Sequence, residues 1–95
     1  MPSSKPVASL VLATYNSAHT LPAALDSLLT QSLPIQLIVV DDGSTDNSLD
    51  LLTNYSDKIM LLKQDHQGPA IARNLGAEYA SSDILLFVDA DMEFG

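Results

Sequence analysis

Four short apolar runs, each followed by a polar cluster, constrain this chain more than any other feature. Val7 to Ala13, Ile35 to Val40 and Ile84 to Val88 are rich in β-branched residues and leucine, as strands buried on both faces are. Lys58 to Leu62 reads as a weaker member of the same set. Helical spacing fills the intervals. Thr20 and Pro22 supply a helix start, and Leu21, Ala24, Leu25, Leu28 and Leu29 keep the three-four spacing of an amphipathic helix ending near Gln31. Pro34 resets the chain. The polar turn from Asp41 to Asn47 can cap a second helix running through Leu49, Leu51, Leu52 and Tyr55. Gly68 and Pro69 open a third, with Ile71, Ala72, Leu75 and Tyr79 as its apolar side and Gly76 as a slight weakness.

The order β-α-β-α-β-α-β predicts an α/β fold, a parallel Rossmann-like sheet with right-handed crossovers. Such sheets bind ligands beyond the carboxyl ends of their strands. Every polar cluster of interest falls there: Thr14-Tyr15-Asn16, Asp41-Asp42-Gly43-Ser44, Asp65-His66-Gln67-Gly68 and Asp89-Ala90-Asp91. Asp89 and Asp91, two carboxylates spaced by one residue after a buried strand, form a good site for a hard divalent cation such as Mn or Mg. Read blandly, they are a solvated acidic terminus, since Glu93 is near.

Composition excludes several classes. The 95 residues make one domain, and 46% hydrophobic content allows a modest core. Four basic against 12 acidic residues give a net charge of −8, which argues against nucleic acid or an anionic membrane as partner. Cysteine is absent, so no disulfide framework exists. Residues 1–6 read as a flexible N-terminus without the apolar core of a signal peptide. No apolar run approaches the roughly 20 residues of a transmembrane segment. A cytoplasmic domain is expected, at the inner membrane surface if part of a larger enzyme.

Ala13-Thr14-Tyr15-Asn16, Val39-Val40-Asp41-Asp42-Gly43-Ser44-Thr45-Asp46, Gly68-Pro69-Ala70-Ile71-Ala72-Arg73-Asn74 and Phe87-Val88-Asp89-Ala90-Asp91 resemble the successive motifs of glycosyltransferase family 2, in order and at the right spacing. The resemblance covers about Val7 to Asp91. It implies the N-terminal part of a GT-A fold with strand order 3-2-1-4, and an inverting, metal-dependent enzyme using a nucleotide-diphospho-sugar donor, most simply a UDP-sugar. By resemblance Thr14 and Tyr15 lie at the nucleotide, and Asp42 accepts a hydrogen bond from the ring N–H of the base. Arg73 contacts base or phosphate, Asp91 is the direct metal ligand, and Asp89 reaches the ribose or the metal through water. The chemistry agrees for Asp42, because a carboxylate only accepts and uracil offers one imide donor; guanine offers donors too. On the residues alone, Tyr15 is also a half-buried loop aromatic, Asp42 a helix-capping aspartate and Arg73 a surface ion-pair partner. Asp41 is assigned to the turn. His66 departs from the family's frequent asparagine and is read as a solvated loop side chain without a role.

The family's catalytic base and acceptor loops lie downstream of the metal motif, so they are expected beyond Gly95. The chain is therefore read as a truncated donor-binding part, inactive alone, whose strand 84–88 is an exposed apolar edge that invites a homo-oligomer. Two other classes compete: a non-catalytic nucleotide-binding module served by the same four clusters, and a receiver-like doubly wound domain. The second needs a phosphoacceptor aspartate after strand three and a lysine after strand five, whereas here strand three ends in Lys63-Gln64-Asp65 and no fifth strand is read.

Overall fold

The computed structural model describes residues 6–30 and 34–89. Asp91, the helix end near Gln31 and residues 1–5 of the expected N-terminus lie outside them. Seven elements follow the expected alternation: β1 (Ala8–Thr14), α1 (Leu21–Leu29), β2 (Ile35–Asp41), α2 (Ser48–Thr53), β3 (Met60–Lys63), α3 (Pro69–Glu78) and β4 (Leu85–Asp89). The strands form one parallel sheet in the order β3-β2-β1-β4.

Chain direction decides the layers. From β1 to β2 to β3 the chain steps one way across the sheet, and right-handed crossovers place α1 and α2 on one face. From β3 it returns past β2 and β1 to β4, and that reversal puts α3 on the other face. The side chains record both layers. Leu10 and Leu12 of β1, with Leu37 and Val39 of β2, meet Leu21, Leu25, Leu28 and Leu52. The alternate residues Val11, Ile38 and Val40 meet Ala72 of α3. Period-two alternation with both sets apolar is what a central parallel strand requires.

Three local readings shift. The third strand begins at Met60, opposite Ile38, because Lys58 and Ile59 still donate their backbone N–H groups to Tyr55 O in the turn that closes α2. The buried side of α3 is Ala72 and Gly76, not Ile71 and Tyr79, which are 46% and 49% exposed. Gly76 is not merely a weak helix residue: a Cβ there would lie 2.4 Å from Val11 Cγ1. The glycine is what lets α3 sit directly on the sheet.

Candidate functional site

The strand order reverses between β1 and β4, which is where a doubly wound sheet opens a crevice at its carboxyl rim. An open cavity of about 200 Å³ lies on the same rim, over the ends of β1 and β2 and the loop after β3, lined by Ala13, Thr14, Tyr15, Asp42, His66 and Pro69.

Its back wall is the end of β1. Thr14 is buried, and its Oγ1 has no hydrogen-bond partner among the described residues. Tyr15 leaves the ladder and is 42% exposed. The chain then turns at Asn16, whose φ of 50° is left-handed. Asparagine tolerates that conformation, and here its side chain repays the strain. Asn16 Oδ1 accepts the backbone N–H groups of Thr45 (2.7 Å) and Asp46 (3.2 Å), while its own N–H donates to Ser44 Oγ at 2.9 Å. The first rim loop is thereby clasped to the turn after β2. The sequence reading missed this role.

Asp41 ends β2, Asp42 follows it, and both are buried. Asp41 serves the turn as expected: its Oδ2 accepts the Ser44 N–H at 3.1 Å. Asp42 does not cap α2. Its Oδ1 accepts Gln64 Nε2 at 2.7 Å and the Gln67 N–H at 2.8 Å, and its Oδ2 accepts the Gly68 N–H at 3.0 Å. Burial raises the affinity of this carboxyl for a proton. The Gln64, Gln67 and Gly68 donors and the neighbouring His66 outweigh that, and its pKa lies below the ordinary value. Asp42 is thus the latch that closes the loop after β3 over the rim.

His66 is the residue the sequence reading set aside. Its ring stacks on Tyr15 with centroids 4.0 Å apart and planes at 28°. Its Nδ1 lies 3.0 Å from Asp42 Oδ2 and 3.1 Å from Asp42 O. Both neighbours only accept, so Nδ1 carries the proton. Gly43 permits the approach. It has φ 78°, and a Cβ on it would meet the His66 backbone nitrogen at 2.7 Å. Only a lone histidine in a polar loop was visible beforehand, with no local signal of the ring it would meet.

The structure brings Thr14, Tyr15 and Asp42 to one cavity. Arg73 stands on α3, exposed and without an ion-pair partner among the described residues, so the surface salt bridge is not formed there. Register sets Asp89 of β4 beside Ala13, a cavity-lining residue. No group of three or more metal-ligating side chains occurs among the described residues, and Asp91 lies beyond them. Carboxylate oxygens are the donors a hard divalent cation takes, so the residue types of Asp89 and Asp91 suit such an ion.

The fold defines a doubly wound α/β domain with an open cavity at the carboxyl rim of its sheet. Residues 9–95 match the model of the glycosyl transferase family 2, and the chain belongs to that family. It is 41% identical to an uncharacterized glycosyltransferase of Haemophilus influenzae over 91 residues, covering 90% of this chain and 36% of that protein. Among solved structures it is similar to S. aureus TarS 1–349 in complex with UDP (33% identity, TM-score 0.81, 88% of this chain and 27% of that one). It is also similar to the mannosyltransferase PcManGT from Pyrobaculum calidifontis in complex with GDP-Man and Mn2+ (25% identity, TM-score 0.87, 97% and 29%). The chain therefore spans roughly a third of the relatives it matches. No helix among the described residues is long and apolar enough to cross a membrane.

Proposed function

We propose that this chain is the donor-binding part of an inverting, metal-dependent glycosyltransferase. The observation that carries the reading is the convergence of Tyr15 and Asp42 on one rim cavity, which offers an aromatic face beside a buried acceptor-only carboxylate. A nucleotide base has the complementary features, a flat π-face and a ring N–H. Thr14, whose Oγ1 is buried without a partner among the described residues, belongs to the same wall. Arg73 is available for base or phosphate, and guanidinium geometry suits both.

Asp89 and Asp91 are the residues we assign to a divalent cation, Mn or Mg. When bound, the cation neutralises charge on the diphosphate leaving group. The donor we propose is a UDP-sugar, and the relative solved with UDP supports that choice. Transfer to an acceptor hydroxyl needs a base, and none of the residues we assign to the donor is given that role. The setting we propose is the cytoplasm.

Calorimetry with UDP and GDP, with and without MnCl2, tests the reading. Metal-enhanced UDP binding that is lost in Tyr15→Ala and Asp91→Ala is the expected result. Equal heats for every nucleotide and every variant would refute it.

A further inference from the structure

The contacts of His66 coincide with those proposed for the base. The imidazole is a flat heteroaromatic ring stacked on Tyr15 at 4.0 Å, with a ring N–H directed at Asp42 Oδ2 at 3.0 Å. A uracil or guanine bound at this rim would use the same aromatic face and the same carboxylate. Four donors surround that carboxylate. Two are backbone N–H groups, from Gln67 and Gly68, and one is the half-buried Gln64 amide. The imidazole is the one carried on a freely accessible side chain, 57% exposed. Its backbone is meanwhile packed against Gly43. The ring can therefore leave by rotating about its own side-chain bonds while the Gln67 and Gly68 latch stays closed.

We infer that the His66 imidazole holds the seat of the nucleotide base in the free protein, and that an incoming base binds by displacing it from Tyr15 and Asp42. The inference rests on the nucleotide reading above. It makes His66 a determinant of donor affinity. Every base must first give back the stack and the hydrogen bond that the imidazole already makes. A base with a ring N–H recovers both, whereas one lacking that donor recovers only the stack.

His66→Ala separates this from the opposite role, a wall against which the base leans. Removal of a competitor should tighten UDP binding by at least about three- to tenfold, the range that the exposed ring stack alone can withhold, and by more to the extent that the hydrogen bond to Asp42 adds to it. Proton NMR gives a second readout. The chain has 2 histidines, so the variant's spectrum assigns the His66 ring signals by their loss. In the free protein these signals should be shifted upfield by the Tyr15 ring and should move downfield as UDP saturates the site. Unchanged or weaker UDP binding in His66→Ala overturns the inference and leaves the nucleotide reading intact. So do ring signals that stay put while calorimetry records binding. Binding of neither UDP nor GDP to either protein, at equal urea midpoints, would overturn the nucleotide reading itself and this inference with it.

Discussion

Gly76→Ala is the sharpest test of how α3 is seated on the sheet. In an isolated helix the change is favourable by about 1 kcal/mol, since alanine has the higher helix propensity. Here the added Cβ would lie 2.4 Å from Val11 Cγ1, 3.1 Å from Cγ2 and 3.3 Å from Cβ. Carbon atoms prefer roughly 3.5–4.0 Å, so the nearest contact overlaps by more than an ångström. Relief is hard to find. Val11 is fully buried on a central strand, between Ile38 and Phe87 in register. Its β-branched side chain holds one χ1 well tightly. Either the rotamer is forced or the helix lifts, and such overpacking costs about 1–3 kcal/mol. Overlap this deep belongs at the upper end, so the net loss after the propensity gain is about 2 kcal/mol. For a domain this small that lowers Tm by roughly 8–16 °C. Urea unfolding followed by far-UV circular dichroism measures it, since the chain has no tryptophan. The double variant Val11→Ala/Gly76→Ala should be less destabilised than the sum of the singles by about 1–2 kcal/mol, because the clash then has no second partner. A Gly76→Ala protein that is more stable than the parent, with additive double-variant energies, would refute the close seating of α3 on Val11.

Asp42→Asn puts an amide NH2 among four donors and should cost about 1–3 kcal/mol of stability while weakening UDP binding, as paired urea and calorimetric titrations would show. The same carboxylate gives a pH signature: its folded pKa lies below the ordinary 3.8, so the unfolded chain takes up the proton first. Its stabilisation is complete above that value and is lost as pH falls through the lower folded value; acid unfolding of Asp42→Asn should lack this component, and identical acid profiles would count against the latch. Asn16→Ala removes the clasp between the two rim loops and leaves alanine in a left-handed conformation, a loss of about 1–3 kcal/mol; Asn16→Gly should lose less, because glycine accepts the φ of 50°. Leu86→Lys on β4 tests the open edge, where Leu86 and Phe87 are 51% and 48% exposed on opposite faces: light scattering should show self-association in the parent chain that the charge abolishes, and a parent that stays monomeric at high concentration contradicts it.

The sequence by itself determined the elements and the rim. Strand and helix are written in local periods, two for Leu10, Val11 and Leu12 and three-four for Leu21, Ala24, Leu25 and Leu28, so a few neighbours suffice to read them. The family motifs also delivered Tyr15 and Asp42 to one rim. Only the tertiary structure decided the partners. Asp42 was legible as an acceptor, but its donors Gln64, Gln67 and Gly68 come from the loop after β3, brought near by β2–β3 pairing rather than by any local pattern. The same pairing, with Gly43 permitting close approach, sets His66 on Tyr15. Gly76 looked like a flaw because propensity is a property of one helix, while its value lies in Val11 across the sheet. Ile71 and Tyr79 carried helical spacing but fall outside the contact that α3 makes through Ala72 and Gly76. Periodicity marks which residues can share a face; what that face meets depends on strand order and register, which bring together segments far apart in the chain.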